Sequence, residues 1–532
     1  MKNVLMKKTA ALIVSLMIVS ALLPIAAFAN GFGSVTSLNG KVTGTVYVED
    51  STYQLLDDQQ TIAIQVYSNA GAYLGAVDAA YGYSSAAGTV YYDFTIERSQ
   101  FAANENIVLQ YYYPVSSTVV ANVYSDSIYR SLSNSGGGGI FFPPTNSGDS
   151  INAWSDGRVD ATALATALAD GEATVNITGN VALLPASALT ADGTVTIVNA
   201  DGATYKLPLS VLDLSALADA LGIDIDDLVI RVEINVLEGE TAAAVEAAAT
   251  AIGGTQVAGA YDYKVVAVGD DEEIEINNFG STYVERSLPL NKVATSDQVT
   301  GVLYNPATGE FSFVPATFAT NDGITTATLK RNGNSVYTVL ELDPKVFTDL
   351  VSHWAQEDVE TLASKLVVEG VNDTLFQPGR NITRAEFAAM IVRSLSLDTT
   401  ATTAEFSDVP AGQWFAGAVA AAADAGIVQG YPDGTFNPQA NITRKELAAM
   451  VVRALAYAGE EVTLTDAQVS SALAPYTDVA ALGWAEEEVA AAIQSGIVLG
   501  QSATRVAGEA NATRAEAATM VTRFLTGVNF IN

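Results

Sequence analysis

Thr443-Arg444-Lys445-Glu446 stands between two near copies of itself, Thr383-Arg384-Ala385-Glu386 and Thr513-Arg514-Ala515-Glu516. The copies are spaced by 60 and then 70 residues. Three of the four tryptophans keep the same two spacings: Trp354, Trp414 and Trp484. Because two unrelated residue types share one irregular period, the last third of the chain is an internal repeat, and this repeat decides its architecture.

Each copy of the phrase has the features of a helix start. A threonine followed three residues later by a glutamate is a capping box, in which each side chain bonds a free backbone amide of the other residue. Apolar residues then recur on one face, as in Phe387, Met390, Ile391 and Leu395. Each repeat is therefore predicted to fold as helix, loop and helix.

Helix initiation does not explain the arginine of the phrase. Arg384, Arg444 and Arg514 fall at the first helical position, where the helix dipole disfavours a cation by about a few tenths of a kcal/mol. A guanidinium beside a helix N-terminus is a good receptor for carboxylate or phosphate. We therefore predict that these arginines bind an anionic ligand. The alternative is a surface arginine paired with a nearby carboxylate.

Each repeat also carries a tryptophan after an aromatic-x-Asp motif, which contributes Asp349, Asp408 or Asp478. These tryptophans are either core residues, the commoner case, or platforms for a sugar ring. A turn-rich segment follows, clearest at residues 430–438.

In this order, the motifs resemble the S-layer homology family: aromatic-x-Asp, Trp, Gly-Ile-Val-x-Gly, Tyr-Pro-Asp-Gly-Thr-Phe-x-Pro and Ile-Thr-Arg-x-Glu. The repeats cover residues 346–400, 401–460 and 471–528. The resemblance implies an all-α pseudo-threefold helical bundle. It also implies binding of secondary cell wall polysaccharide, commonly through pyruvylated sugars, in grooves between repeats.

The resemblance further implies polysaccharide-binding or groove-shaping roles for thirteen residues: Arg384, Arg444, Arg514, Trp354, Trp414, Trp484, Asp349, Asp408, Asp478, Gly426, Gly430, Gly496 and Gly500. Repeat 1 has Leu366 where the first glycine belongs, and repeat 3 lacks the aromatic-proline turn. We therefore expect unequal grooves, with Arg444 the best placed arginine.

The first 29 residues read as a signal peptide, with a basic start, an apolar stretch at residues 10–23 and the site Ala27-Phe28-Ala29. The net charge of −34 argues against nucleic acid as a partner. The chain has no cysteine, so it has neither disulfides nor a cysteine-linked lipid. We expect a secreted protein held non-covalently in a Gram-positive-type cell wall, without a transmembrane anchor.

The chain is predicted to be multidomain. Residues 30–130 alternate apolar and polar side chains, which predicts an all-β sandwich. Its many tyrosines reflect strand propensity or form a binding face. Residues 131–149 are a Gly/Ser/Pro linker. Residues 150–345 predict an α+β domain of unknown role, with helices near 161–169, 212–221 and 241–252 and a hairpin at 302–314.

His353 is the only histidine, so histidine-dependent triads and multi-histidine zinc sites are excluded elsewhere. No cofactor is expected. A weak structural calcium site at residues 270–275 is left open, although the segment lacks the spacing of a helix–loop–helix calcium loop. We predict a non-catalytic S-layer or S-layer-associated structural protein, which itself is a candidate for a surface lattice.

Two alternatives remain for the whole chain. One is an adhesin or carbohydrate-binding protein anchored by the same repeats. The other, less favoured, is an anchored polysaccharide-degrading enzyme that uses a carboxylate pair.

Overall fold

In a computed structural model, the described residues are the strand backbones within residues 31–123 and residues 150–532 apart from 155, 191, 271 and 402–404. The chain divides into two compact units, Met1–Gly139 and Ile140–Asn532. The predicted signal peptide and linker lie outside the described residues, as do the tyrosine side chains of unit 1.

Unit 1 contributes seven strands, and the alternating segments predicted from the sequence are among them. They pair in the order β1-β2-β5-β4-β3-β6-β7, and every pair is antiparallel. The strands are β1 Gly31–Leu38, β2 Lys41–Val48, β3 Thr61–Ser68, β4 Tyr73–Ser84, β5 Thr89–Glu97, β6 Ile107–Tyr112 and β7 Thr118–Val123.

Unit 2 begins with a sheet-rich region that contains three α-helices: α1 Ala161–Ala167, α2 Leu214–Leu221 and α3 Gly239–Ala251. Its strands are β8 Ser150–Asn152, β9 Glu172–Asn176, β10 Val181–Pro185, β11 Thr194–Val198, β12 Thr204–Pro208, β13 Val229–Val236, β14 Gly254–Gln256, β15 Tyr261–Val268, β16 Glu273–Glu275, β17 Val284–Pro289, β18 Val299–Asn305, β19 Glu310–Phe313, β20 Ala316–Asn321, β21 Ile324–Arg331 and β22 Val336–Leu342.

These strands form two sheets that share one core. One sheet has the order β20-β21-β17-β12-β11-β9-β8, and the other has β10-β13-β15-β22-β18-β19, with β14 beside β22 and β16 beside β15. Strand β13 shows how a strand contributes to this core, because its side chains alternate between the two faces of the sheet. Ile230, Val232 and Ile234 are fully buried, whereas the residues between them are not. The predicted hairpin is confirmed, because Asn305 pairs with Glu310. The region is richer in strand than the predicted α+β domain suggested.

The last third of the chain is helical. Its helices are α4 Gln356–Ser364, α5 Arg384–Ser394, α6 Ala416–Asp424, α7 Arg444–Tyr457, α8 Asp466–Leu473, α9 Glu486–Gln494 and α10 Arg514–Gly527. The three predicted capping boxes are confirmed at the starts of α5, α7 and α10. Helix α8 has its own capping box and occupies the insertion that lengthens the second repeat spacing. In the described part of the chain, no helix is long and apolar enough to span a bilayer.

Contacts between the repeats follow a cycle. Helix α6 of repeat 2 packs on α5 of repeat 1, α9 of repeat 3 packs on α7 of repeat 2, and α4 of repeat 1 packs on α10 of repeat 3. Helices α5, α7 and α10 also contact one another. Isolated β-bridges continue the cycle, joining Thr383 to Asn441, Thr443 to Asn511 and Thr513 to Asn381.

The far ends of the three long helices meet the sheet-rich region. The Tyr283 hydroxyl donates to Leu395 O just after α5, at 2.8 Å. Asn332 Nδ2 donates to the hydroxyl of Tyr457, the last residue of α7, at 2.7 Å. Beyond α10, Phe530 O accepts from Ala316 N at 2.8 Å. The Thr-Arg-x-Glu phrases therefore lie at the opposite ends of these helices.

Candidate functional site at the junctions between repeats

The arginines of the repeated phrase are buried. Arg384 and Arg444 are each 4% exposed, and Arg514 is 8% exposed. Each guanidinium reaches into another repeat, which defines junction 1–2 at Arg384, junction 2–3 at Arg444 and junction 3–1 at Arg514. Burial of a cation is tolerated only where acceptors and a counter-charge meet it.

Junction 2–3 meets all of these needs within the chain. Arg444 donates from Nε to Val506 O at 3.1 Å, from Nη2 to Leu499 O at 2.8 Å and from Nη1 to Glu516 Oε1 at 2.6 Å. Junction 1–2 has the same pattern, since Arg384 Nη1 lies 3.0 Å from Glu446 Oε1 and Nε donates to a carbonyl of repeat 2. At both junctions the arginine ties one repeat to the next.

The glutamate of the phrase thus does two things. Its Oε2 accepts from the backbone N–H of its own capping threonine, at 2.9 Å for Glu446 and 2.8 Å for Glu516. Its Oε1 accepts from the arginine of the preceding repeat. The sequence left open that these arginines pair with a nearby carboxylate at the surface. Arg384 and Arg444 do pair with a carboxylate, but they are buried. Ligand binding by Arg384 and Arg444 stays a prediction.

Junction 3–1 is built differently. Arg514 donates to Phe376 O at 2.9 Å and to Glu369 O at 2.7 Å, but its Nη1 stands 4.0 Å from Glu386 Oε1. That oxygen instead accepts from Arg380 Nη2 at 2.6 Å. Repeats 2 and 3 have Ala440 and Ala510 where repeat 1 has Arg380.

An open cleft of about 260 Å³ lies at junction 3–1, which we call the 3–1 cleft. Repeat 1 supplies Arg380, Arg393 and Glu386, repeat 2 supplies Trp414 and repeat 3 supplies Arg514. The rest of the wall is Val367, Val368, Glu369, Gly370, Val371, Ala389 and Met390. Three arginines against two glutamates give the cleft a net positive charge in a chain of net charge −34.

The environment shifts the titration of both charge types in the cleft. Burial, and then the charge of Arg380, lowers the pKa of Arg514 below its usual range. Burial alone would raise the pKa of Glu386, but hydrogen bonds from Arg380 and from Thr383 N outweigh it and lower that pKa. Both groups stay ionised at neutral pH, so the cleft offers guanidinium donors to an anion.

The aspartates of the aromatic-x-Asp motif brace the turn between the helices of each repeat. Asp408 accepts from Phe436 N and Asn437 N, both at 2.8 Å, and Asp349 and Asp478 accept from the corresponding pairs of amides. Although burial opposes it, these amides lower the pKa of Asp349 and Asp478. Both oxygens of each of these carboxylates accept hydrogen bonds from the turn. Their part in polysaccharide binding stays a prediction.

The paired glycines are explained by backbone geometry. Gly426 and Gly496 follow α6 and α9 with φ of +69° and +70°, a left-handed conformation that glycine adopts without strain. At Gly500 an added Cβ would lie 2.5 Å from the ring of Tyr476, the aromatic residue of the motif. Gly430 likewise abuts Phe406. These four glycines shape the turns beside the junctions.

The repeat tryptophans are surface residues. Trp354 is 64% exposed, Trp414 is 62% exposed and Trp484 is 59% exposed. An indole left so open offers its face to a ligand, which favours the platform alternative over the core alternative. Trp414 lines the 3–1 cleft, whereas the other two do not.

Sequence reasoning missed Arg380, Arg393 and the second role of Glu386. Arg380 could have been found in the sequence, because the other two repeats have alanine at this position. Arg393 is kept as Arg453 and Arg523, but only Arg393 lines the 3–1 cleft. Among the residues that the structure describes, no group of three or more His, Cys, Asp or Glu is placed to hold a metal ion.

The three repeats are S-layer homology domains: the family model matches residues 346–388, 405–448 and 475–518. Domains of this family bind cell-wall polysaccharide. The family match and the S-layer relatives below place the protein at the cell surface, in the cell wall.

Relatives fall into two groups. An amylopullulanase of Thermoanaerobacterium thermosulfurigenes is 37% identical over 239 residues, 45% of this chain and 12% of that protein. An endo-1,4-beta-xylanase A of Thermoanaerobacterium saccharolyticum is 45% identical over 102 residues, 19% of this chain and 9% of that protein. An S-layer protein of Bacillus thuringiensis subsp. finitimus is 29% identical over 181 residues, 34% of this chain and 21% of that protein.

The chain therefore spans less than a quarter of the length of each of these relatives. Among solved structures, the cycloalternan-forming enzyme of Listeria monocytogenes aligns over 79% of this chain and 52% of that one, with 8% identity and a TM-score of 0.15. A score that low does not indicate a shared fold.

Proposed function

We propose that this protein is a non-catalytic S-layer or S-layer-associated protein, anchored non-covalently to secondary cell wall polysaccharide through the 3–1 cleft. The observation that carries the proposal is the cleft itself. It brings three arginines and an exposed indole around one space, in a chain that is otherwise strongly acidic. We also infer from the cyclic contacts that the repeats form a pseudo-threefold bundle.

A carboxylate-bearing sugar suits this lining. Guanidinium groups bind carboxylates through paired, charge-assisted hydrogen bonds. Trp414, with 62% of its surface open, can stack on the sugar ring. A sugar that bears a pyruvate ketal combines the carboxylate and the ring in one residue of the polymer. We propose such a pyruvylated sugar as the ligand. A phosphate on the polysaccharide is the competing source of negative charge.

The sheet-rich region of residues 150–345 contacts the other end of the bundle. Tyr283, Asn332 and Ala316 bond the C-terminal ends of the long helices, away from the Thr-Arg-x-Glu phrases. We propose that residues 150–345 face away from the wall, that residues 30–130 form a β-sandwich, and that both contribute to a coat. Ordered arrays of the purified protein are the expected result, and an adhesin would bind a ligand without forming arrays.

A polysaccharide-degrading enzyme is the second candidate, because the relatives include an amylopullulanase and a xylanase. The chain covers only 12% and 9% of those proteins, which leaves most of each enzyme without a counterpart here. We propose no catalysis. Release of reducing sugar from wall or plant polysaccharide, lost on replacing one carboxylate, would overturn this.

The anchoring proposal is tested by a pull-down with the full chain. Intact sacculi should retain the protein, whereas sacculi stripped of polysaccharide, or treated with mild acid to remove ketal pyruvate, should not. A phosphatase-treated sample tests the competing phosphate source. Equal retention on stripped and intact sacculi would contradict anchoring by polysaccharide.

Trp414→Ala is the variant that addresses the cleft. The side chain is mostly exposed, so its loss should weaken retention without unfolding the bundle. Trp354→Ala and Trp484→Ala are matched controls, since they remove the same side chain at similar exposure outside the 3–1 cleft. If all three variants weakened retention equally, the three junctions would bind alike.

A further inference from the structure

We propose that Arg380 is the specificity-determining residue that makes junction 3–1 the high-affinity anion site of this protein. It acts by taking Glu386 away from Arg514 and by adding its own guanidinium to the cleft. This inference rests on the proposed function, because it concerns the same cleft, but it names a residue and a mechanism of selection among the three junctions.

The competition for the glutamate is visible in the distances. The arginine of the phrase lies 3.0 Å from its glutamate at junction 1–2 and 2.6 Å at junction 2–3, but 4.0 Å at junction 3–1. The Oε2 atom of each glutamate bonds its own capping threonine, so only Oε1 is in dispute. At junction 3–1 Arg380 holds Oε1 at 2.6 Å. The alanines of the other repeats have no side chain that can compete.

One donor of Arg514 is left without a partner as a result. Among the residues that the structure describes, Arg514 Nη1 makes no hydrogen bond. Arg380 Nε is buried and has no partner. Arg393 has only a loose contact, 4.0 Å from Glu369, and its side chain is 46% exposed. Burial of a cation's donors is costly where they lack a full set of partners, as at Arg380 and Arg514, so an anion in the cleft that also meets the exposed Arg393 is favoured.

Junction 1–2 shows the opposite outcome. The ring of Tyr431 lies 4.9 Å from the guanidinium carbon of Arg384, and its hydroxyl donates to Glu446 Oε1 at 3.0 Å. An aromatic side chain therefore covers the arginine and adds a second donor to its glutamate. Val371, which is smaller and has no hydroxyl, stands at this position in junction 3–1. Junction 2–3 has Gln501 there and keeps its ion pair closed.

The closing experiment measures binding to the full secreted chain by isothermal titration calorimetry. The probe is a methyl hexopyranoside carrying a pyruvate ketal, and the methyl ester of that ketal is the uncharged control. Inorganic phosphate and glycerol phosphate are the arms for the alternative source of charge. Wild-type protein should bind the acid at one site and discriminate strongly against the ester and the phosphates.

Arg380→Ala should lower the affinity for the acid by about tenfold to a hundredfold, the loss expected for one or two charge-assisted hydrogen bonds. Its affinity for the ester should be unchanged, which a merely structural role would not produce. The fold should survive, because alanine occupies this position in the other two repeats. Far-UV circular dichroism and the melting temperature check this.

The reciprocal variant transfers the site. In the Arg380→Ala background, Ala510→Arg places an arginine where it can take Glu516 from Arg444. Binding of the acid should return, and it should now depend on Trp354, because α4 packs on α10 as α6 packs on α5. Trp414→Ala should no longer matter in this variant.

The outcomes separate the two ideas. If the wild-type chain binds none of the probes and is not retained by sacculi, the proposed function fails. If the wild-type chain binds the acid and Trp414→Ala weakens it, but Arg380→Ala leaves acid and ester affinities unchanged, the proposed function stands and the role of Arg380 is overturned. Failure of Ala510→Arg to restore binding would show that the arginine alone does not select the junction.

Discussion

Junctions 2–3 and 3–1 contain the same arginine, glutamate and capping threonine, yet one is closed and the other is open. In junction 2–3 Arg444 and Glu516 are 2.6 Å apart, and the arginine has a partner for each of its nitrogens. In junction 3–1 the pair is drawn apart to 4.0 Å, and a cleft of about 260 Å³ lies beside it. At the closed junctions the repeated arginine is a structural tie, and at junction 3–1 Arg380 bonds the glutamate and leaves one donor of Arg514 unpaired.

Repeats that share one ion pair can still differ in the donors that they offer to a ligand. A buried ion pair that is fully satisfied within the chain has no donors left to offer, whatever its charge. One extra cation beside the shared carboxylate changes the balance. Three arginines then face two carboxylates, and the surplus charge is available to a partner.

The largest effect is expected from breaking the closed junction. Arg444→Ala leaves Glu516, the buried carbonyl of Val506 and the partly buried carbonyl of Leu499 without their donor, and should cost about 3–5 kcal/mol of unfolding free energy. Arg514→Ala should cost less, because its ion pair is already open. Urea unfolding followed at 222 nm measures both variants.

Arg505→Ala is the control for this pair, since its side chain is 67% exposed and its contact with Asp478 is loose, at 3.8 Å. It should change the unfolding free energy by no more than about 0.5 kcal/mol. Equal losses for Arg444→Ala and Arg514→Ala would break the distinction between the junctions.

The next effect concerns the turn that the aspartate of the aromatic-x-Asp motif holds in each repeat. Asp478→Ala and Asp349→Ala should each destabilise the bundle by about 1–3 kcal/mol, because two turn amides lose their acceptor. Urea unfolding should give similar values for the two variants. Binding lost with full stability would instead assign these aspartates to the ligand.

A smaller effect is expected at the far end of the bundle. Tyr283→Phe removes the hydrogen bond to Leu395 O and should cost about 1 kcal/mol. The affinity for a carboxylate probe should stay at the wild-type value, because the contact lies at the opposite end of α5. A changed affinity would show that the two ends are coupled.

The smallest effect is a pH dependence. The pKa of Glu386 is lower in the folded protein, so its contribution to stability is complete above the unfolded value of about 4.3 and is lost as the pH falls through the folded value. Glu386→Gln should remove this part of the acid sensitivity. The urea midpoints of both proteins are measured at pH 7 and at pH 3.5. An equal change in midpoint between the two pH values for wild type and variant would contradict this role of Glu386.

Local signals in the sequence predicted much of this structure. The capping boxes fixed the starts of α5, α7 and α10, and the turn around Gly309 fixed a hairpin, because these features depend on residues a few positions apart. The order of strands in the two sheets joins distant segments, such as β15 with β22, and no local pattern specifies it.

The type of site was predictable from the sequence, but its location in the bundle was not. The need of Arg444 for an anion was visible, but its partner Glu516 is 72 residues away, so the sequence left a ligand and a carboxylate as alternatives. The openness of Trp414 was not predictable either, since a repeated tryptophan is compatible with a core. Arg380 was visible as a departure, but its effect depends on which glutamate oxygen remains free.

We propose that the 3–1 cleft binds a carboxylate-bearing wall sugar. Calorimetric titration of the full chain with a pyruvate-ketal hexopyranoside tests it most directly, with Trp414→Ala as the cleft variant and Trp484→Ala as its control. We predict one site per chain, much weaker binding of the methyl ester than of the acid, and weakening by Trp414→Ala but not by Trp484→Ala. Equal binding of acid and ester, or equal weakening by both tryptophan variants, would contradict it.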